Sequence, residues 1–369
     1  MKKSLIALAT LAAFSGVAMA QSSVTIYGVL DVGYGKIKGG KLGLQNGETY
    51  GLANSPFTAK DGFNSTSVIG FRGVEDLGGG MKANFNLQTG GIELGSGATP
   101  LAFSRESNVG LEGGFGAIQF GRTSSIAAKT MGGFDLNGTS GSSALANAGV
   151  SAVTWYGSSR RSDQMQYTSP KLGDVTVRVG LTLKGDAAVN GNLTAAQVAN
   201  NKDRVSLGVT YAKGPLVIGA VTETKSTVAQ RNAMAVGASY DLGFARVAAA
   251  YNKREFAGTV GYNQFAAIGT STYAASQGGK GYSLGVVAPM GPLNVGAQYA
   301  NNSDTKVKAT ELFANYALSK RTRVYVDYVT TSGTEAQGAL ALGAANASPG
   351  YDAVPAKTNA LGVGIVHTF

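Results

Sequence analysis

The apolar positions along this chain recur with a period of two, the spacing of β-strands, far more often than with the 3.6 of helices. In Val24-Thr-Ile-Tyr-Gly-Val-Leu-Asp-Val-Gly-Tyr34, one face carries Ile26, Gly28, Leu30, Val32 and Tyr34. The other carries Tyr27, Val29, Asp31 and Gly33. In Arg204-Val-Ser-Leu-Gly-Val-Thr-Tyr211, Val205, Leu207, Val209 and Tyr211 alternate with Ser206, Gly208 and Thr210. Arg323-Val-Tyr-Val-Asp-Tyr-Val-Thr330 is rich in the aromatic and β-branched residues that strands favour. Gly, Ala and Ser fill many one-sided positions.

The connections fall into two sizes that alternate along the chain. Tight turns include Asp76-Leu-Gly-Gly-Gly80, Gly113-Gly-Phe-Gly116, Leu172-Gly-Asp174, Gly214-Pro215, Leu242-Gly-Phe244, Met290-Gly-Pro292 and Leu318-Ser-Lys-Arg321. Longer polar stretches lie at about 36–63, 93–101, 123–152, 185–202, 255–278 and 332–356, with shorter ones near 226–231 and 302–306. The pattern predicts sixteen strands: 24–35, 64–76, 81–92, 102–112, 116–122, 153–169, 174–184, 203–213, 215–225, 232–241, 244–254, 279–288, 292–301, 307–317, 321–331 and 357–369. An even strand number, with short turns on one side and long loops on the other, describes an all-β, antiparallel transmembrane barrel. A soluble sandwich needs larger residues packed in a dry core. Here one strand face is apolar and the other small, polar or charged, which suits lipid outside and water inside.

Both chain ends fit an exported barrel. Lys2 and Lys3 precede the apolar run Leu5 to Phe14, which ends at Ala18-Met19-Ala20, so residues 1–20 read as a cleaved signal peptide. Its removal lowers the formal charge from +10 to +8 and leaves residues 21–369 as one barrel domain. No later apolar run is long enough for a transmembrane helix. In the last strand, Leu361, Val363, Ile365, His367 and Phe369 share one face, like the terminal signature of outer-membrane barrels. With 54 Gly, about twice the usual share, but no period of three, the chain is not collagen-like. There are no Cys and one His, so no thiol chemistry or Cys-based metal site is open to it. Sixteen Tyr and fourteen Phe can supply interfacial girdles; the single Trp, Trp155, reads as an aromatic anchor.

Five stretches in order carry a family resemblance. They are Ser23 to Asp31, Gly70-Phe-Arg-Gly-Val-Glu-Asp-Leu-Gly78 with Gly80-Met-Lys-Ala83, Arg105 through Val109-Gly-Leu111 and Gly114-Phe-Gly116 to Gly121-Arg122, Tyr316-Ala-Leu-Ser-Lys-Arg-Thr322, and Val363 to Phe369. On these the chain resembles the general porins of Gram-negative bacteria, in the anion-preferring branch found in β-proteobacteria. The resemblance implies a sixteen-stranded barrel, a homotrimer, an outer-membrane location and passive diffusion of small hydrophilic solutes and ions. It also implies a third long loop, here about 123–152, folded into the lumen as a constriction.

Within that frame the candidate constriction residues are Arg72, Arg105, Arg122, Arg160 and Arg161 on the wall, with Lys129 and Asp135 on the loop. Arg keeps its charge and presents a planar donor fork; a surplus of such groups raises the local anion concentration. Parity places Arg72 with Gly70 and Val68 on the lumen face, but leaves Arg105 with Val109 and Leu111. Two departures thin the cationic ladder. Val68 stands where relatives usually carry Arg, and Val29 where enteric relatives carry Lys. Lys320, Arg321 and Arg323 follow a short turn and read as solvated or lipid-facing, Asp31 as facing the lumen or pinning the first strand, and His367 as structural.

The function expected is therefore a diffusion channel of the outer membrane, with anions among its solutes and lipid and lipopolysaccharide around it. A phosphate- or organic-anion-selective porin, or a barrel with an adhesive outer surface, is the alternative. An enzyme is not expected, since Ser/His chemistry requires a His within the barrel and His367 is terminal. No P-loop, H-E-x-x-H or EF-hand pattern occurs, so neither cofactor nor metal is implied. No basic helix or aromatic–basic stripe suggests nucleic acid.

Overall fold

The structure is a computed structural model. It describes residues 23–38, 44–45, 48–49, 58–61, 64–90, 92, 101–138, 160–184, 202–224, 230–256, 279–303, 308–332 and 358–369. The expected signal peptide, Trp155, and residues 139–152 of the expected constriction loop lie outside them.

Sixteen long strands run antiparallel around one closed sheet. They are β1 (Ser23–Lys38), β2 (Val68–Gly78), β3 (Met81–Gln88), β4 (Glu106–Gly113), β5 (Gly116–Ser124), β6 (Arg160–Thr168), β7 (Val175–Thr182) and β8 (Arg204–Lys213) in the first half. The second half comprises β9 (Leu216–Glu223), β10 (Gln230–Asp241), β11 (Arg246–Phe256), β12 (Gly279–Met290), β13 (Leu293–Asn302), β14 (Lys308–Ala317), β15 (Thr322–Ser332) and β16 (Thr358–Thr368). Three short pieces add a hairpin, Leu44–Gln45 with Glu48–Thr49, and Thr58–Asp61, which pairs with β1 from Val32 to Gly35.

Closure falls on β1. Its first half pairs with β2, from Ser23↔Val74 to Val29↔Val68. Its second half pairs with β16, from Val29↔Thr368 to Lys38↔Asn359. Gly28 and Phe369 exchange two backbone hydrogen bonds of 3.1 Å, tying the chain end to the first strand. The short turns and both described termini share one end of the barrel; the long connections lie at the other.

The faces are inverted relative to a soluble protein. The inward row of β4 is Glu106, Asn108 and Gly110, and its outward row is Ser107, Val109 and Leu111. On β14 the pattern is Glu311 and Phe313 inward, Thr310 and Leu312 outward. Val109 is 55% exposed while Glu311 is 0% exposed. Apolar side chains that point away from the lumen require a hydrocarbon partner, which the bilayer supplies.

Several boundaries differ from expectation, most informatively those of the second, third and fourth strands. The second strand starts at Val68, not 64. Residues 64–67 bend instead across Asp31, whose carboxylate accepts from the backbone of Asn64 (2.8 Å) and of Ser65. The third strand ends at Gln88. The fourth begins at Glu106, not 102, so residues 101–105 are irregular and free of strand parity. The sixth strand is described from Arg160.

Candidate functional site

The chain leaves the wall after β5 and enters the lumen. A bulge starts the departure: the β5–β6 register shifts between Gly121 and Thr123. Gly121 has φ +105°, and a Cβ there would strike the carbonyl of Ser107, so glycine alone fits. On the facing strand Asp163 also has positive φ, +49°. Ser125 then caps α1 (Ile126–Met131), its hydroxyl accepting from the Ala128 backbone at 3.1 Å. Gly132 ends α1 and a 3-10 turn follows over Gly132–Phe134.

Small residues on the far wall make the seat for this segment. Ile126, Ala127, Met131 and Phe134 are buried against Val221, Ala233, Ala235, Ala248 and Ala250, with Leu136 and Val217 at the margin. A Cβ at Gly180 would lie 2.7 Å from Ile126, at Gly219 2.8 Å from Phe134, and at Gly285 2.9 Å from Leu136. At Gly208 it would overlap Thr130, and at Gly237 the Phe134 ring. The inward Gly and Ala of β7 to β12 are therefore a bed whose depth is set by side chains they lack.

Beyond the turn, polar contacts hold the segment. Asp135 accepts from the Gln298 side chain at 2.9 Å, and Gln298 accepts from the Leu136 backbone at 2.8 Å. The Asn137 amide donates to Glu311 (2.6 Å) and Asp327 (3.2 Å). Asn64 donates to Asp327 at 2.9 Å, and Tyr325 to Asp31 at 2.8 Å. Four carboxylates, Asp31, Asp135, Glu311 and Asp327, are thus buried where segments 64–67 and 135–137 meet β1 and β13 to β15. Asp31 pins this contact. Asp135 faces Gln298 and not the arginines, because the chain has crossed the lumen before reaching it.

The basic groups gather on the near wall. Arg72 is inward and its guanidinium lies 5.2 Å from the centre of the Tyr27 ring. Arg105 also reaches the lumen, where it donates to Gln88 at 3.0 Å; its irregular backbone releases it from the outward parity of Val109. Arg160 lies 3.8 Å from Glu106, and Arg105 is close enough to interact with both. Lys129, on α1, donates to Gln119 (2.9 Å) and Gln166 (2.6 Å). Burial pushes its ammonium down to about 8, with Arg178 adding to the depression and Glu106 opposing it.

Two expected residues stand elsewhere. Arg122 pairs with Ser107, on the outward side of the ladder with Val109, and donates to the Ser104 carbonyl and to Ser162 (2.8 Å). Arg161 is inward but 2% exposed, bound to Glu223 at 3.2 Å. Arg204 holds the same carboxylate at 3.0 Å and Ser206 donates to it at 2.9 Å. Arg323, read as a solvated or lipid-facing charge, is inward and donates to Asn64 at 2.8 Å. Sequence reasoning missed Arg178, Arg204, Glu311 and Asp327, and also Arg246, which donates to the Gly133 carbonyl of the inserted segment. The first two were legible, since each heads an alternating run of small inward residues, Arg178–Gly180–Thr182 and Arg204–Ser206–Gly208.

A closed barrel with an apolar exterior, a polar interior and a segment seated across its lumen is the architecture of an outer-membrane channel. The chain belongs to the Gram-negative porin family, which matches residues 7–336. It is 29% identical to an outer membrane porin protein of Bordetella pertussis over the full length of both chains. It is 30% identical to outer membrane porin protein 32 of Delftia acidovorans, over 93% of this chain and 95% of the relative. In fold it is similar to the anion-selective porin from Comamonas acidovorans, with a TM-score of 0.69 and 23% identity, over 95% of this chain and 100% of that one. The protein is a pore of the outer membrane; its short turns are periplasmic and its long loops extracellular.

The seat makes a testable demand. Gly237→Leu drives a side chain into the Phe134 ring, at a cost of about 1–3 kcal/mol. It is expected to unseat α1 and change single-channel conductance while the barrel stays heat-modifiable on gels. Wild-type conductance and thermal stability in this variant would show that the contact does not hold the segment.

Proposed function

We propose that this porin admits small hydrophilic solutes passively and prefers anions, with Arg72, Arg105, Arg160, Arg178 and Lys129 as the groups that set the preference. One observation carries this reading: among the described residues, these cations line the lumen around a single carboxylate, Glu106, while five other acids, Asp31, Asp135, Glu223, Glu311 and Asp327, are buried in contacts of their own. Partial burial in a narrow passage reduces screening, so the cations act on passing ions more strongly than surface charges do. A selective site for phosphate or organic anions would need several Arg forks converging on one point. Val29 and Val68 remove two positions from that ladder, which favours the general channel.

We further infer a homotrimer, in outer-membrane lipid and lipopolysaccharide. The contact we assign is the outward face of strands 24–122, built from Val24, Ile26, Val109, Leu111 and Phe120, with Phe103 set edge-on to Phe71 at 6.2 Å. A continuous apolar surface of this kind supports burial against a second copy. Cross-linking in mild detergent should trap trimers, and substituting charges at Ile26 and Val109 should reduce them. Monomers alone from the unaltered protein would remove the assembly from this reading.

Selectivity is tested by reversal potential across a salt gradient in planar bilayers. Arg105→Ala with Arg160→Ala is expected to lower the chloride-over-potassium permeability ratio, by about fivefold if each charge contributes near 1 kcal/mol and partly compensates for Glu106. Arg122→Ala should change it less, since that side chain stands on the outward side of the ladder. A cation-preferring wild type would overturn the proposal.

The pH dependence follows from Lys129. Below pH 8 it is protonated and adds to the cationic wall; above it the charge is lost while the arginines keep theirs. Anion preference should therefore fall as pH rises through about 8, and Lys129→Gln should flatten that part of the profile. An unchanged step in this variant would assign the titration to another group.

A further inference from the structure

Arg72 and Arg105 converge on one uncharged side chain, Tyr27. It lies on the inward face of β1, at the head of the cross-strand row Tyr27↔Gly70↔Gln88↔Glu106 that runs over β1 to β4. Its ring lies over Gly70: a Cβ there would overlap the ring and stand 2.6 Å from the hydroxyl oxygen. Neighbouring strands are about 4.8 Å apart, so a side chain of β1 meets those of β3 only where β2 puts nothing between them. Gly70 is that gap. The Tyr27 hydroxyl crosses it, donates to Asn86 Oδ1 at 2.6 Å and accepts from Gln88 Nε2 at 3.3 Å.

The direction of these bonds orients Arg105. A phenol has a single proton to give. Tyr27 gives it to Asn86, so toward Gln88 it acts as acceptor. That turns the Gln88 amide nitrogen to Tyr27 and leaves the amide oxygen for Arg105, whose Nε donates to it at 3.0 Å. The Arg105 backbone N–H donates to the Gln88 carbonyl at 3.1 Å, so Gln88 holds both the backbone and the guanidinium. Arg72, one row nearer the periplasm, lays its guanidinium 5.2 Å from the centre of the same ring. Glu106 is the competing acceptor; it follows Arg105 directly in the chain and lies 3.8 Å from Arg160. A second guanidinium drawn to that carboxylate would be neutralised there. An amide oxygen and an aromatic face hold a cation without cancelling its charge.

We propose that Tyr27, seated on Gly70, is the positioning residue of the cationic wall: it holds Arg105 through Gln88 and Arg72 through its ring, and so keeps both charges in the passage and away from Glu106. The proposal rests on the reading of these arginines as the groups that set ion preference, and identifies the uncharged residues on which that preference depends.

The test measures reversal potential across a salt gradient for the full-length protein in planar bilayers. Tyr27→Phe keeps the ring, its seat and the Arg72 contact, and removes the hydroxyl alone. The chloride-over-potassium permeability ratio is expected to fall about twofold, the order set by one lost orienting hydrogen bond, although no charge has changed. Gln88→Met, acting on the next bond, should give a similar fall and add nothing to Tyr27→Phe. Tyr27→Leu, which also releases Arg72, should lower the ratio further. In an Arg105→Ala background Tyr27→Phe should have no effect, because the hydroxyl acts through that guanidinium; an independent structural contribution would add in full. All variants are checked for heat-modifiability on gels. A wild-type ratio in both Tyr27→Phe and Gln88→Met, with Arg105→Ala still lowering it, would refute the positioning role and leave the cationic wall standing. So would an equal fall from Tyr27→Phe with and without Arg105. If Arg105→Ala also leaves the ratio at its wild-type value, the assignment of Arg105 falls together with the role of Tyr27.

Discussion

Everything in this molecule follows from one constraint: inside hydrocarbon every backbone N–H and C=O must find a partner within the protein. A sheet meets it only by closing, so β1 must serve two neighbours. It does so by division of its length, β2 along the first half and β16 along the second, with Phe369 bonded back to Gly28. Closure in turn creates two environments. The outward row meets lipid and is apolar; the inward row meets water and is polar. The alternation that predicts the strands is this same partition, written once per residue.

A closed wall of sixteen strands leaves a lumen, and the fate of that lumen is decided by what lies across it. The inserted segment is held at two ends by different chemistry. Its first part is an apolar contact, Ile126 and Phe134 against glycines and alanines of the far wall. Its last part is polar, with Asn137 and Asp135 bonded to Glu311, Asp327 and Gln298. An apolar seat is not directional and fixes depth; hydrogen bonds are directional and fix position along the wall. The high glycine count, which in the sequence reads only as a compositional oddity, is in part the volume of this seat.

Strand number, turn pattern and inward parity were legible because period two is a local property. Arg72 and the small inward rows of β7 to β12 follow from it directly. What was not legible depended on breaks in the period or on distant partners. Arg105 escapes its parity because residues 101–105 are not strand; Arg122 needs no such break, since it shares the outward parity of Ile118 and Phe120 in an unbroken register with β4. Asp135 meets Gln298 across 163 positions of sequence, and Asn137 meets Asp327 across 190. Neither pairing has a local signature. Arg323 was misplaced for a simpler reason: nearness to a turn says nothing about which face a strand's first residues present.

The sign of the lumen is then a question of burial rather than composition. By sequence, the constriction has a surplus of basic residues and one acid, Asp135. In the fold, that acid is held by Gln298, and a different one, Glu106, lies among the wall cations. Nor are all the bases in it: Arg161 and Arg204 are consumed by Glu223 beneath α1. What faces the water is the remainder after buried charges have satisfied one another. An ion pair buried under the inserted segment must be hydrogen-bonded to be tolerated, and Glu223 meets this with two arginines and Ser206. The same contacts that hold the segment therefore withdraw charges of both signs from the passage. Selectivity in such a pore depends on how the segment is seated, and a change far from the arginines, at Gly237 or Asn137, acts on it by altering which charges remain in water.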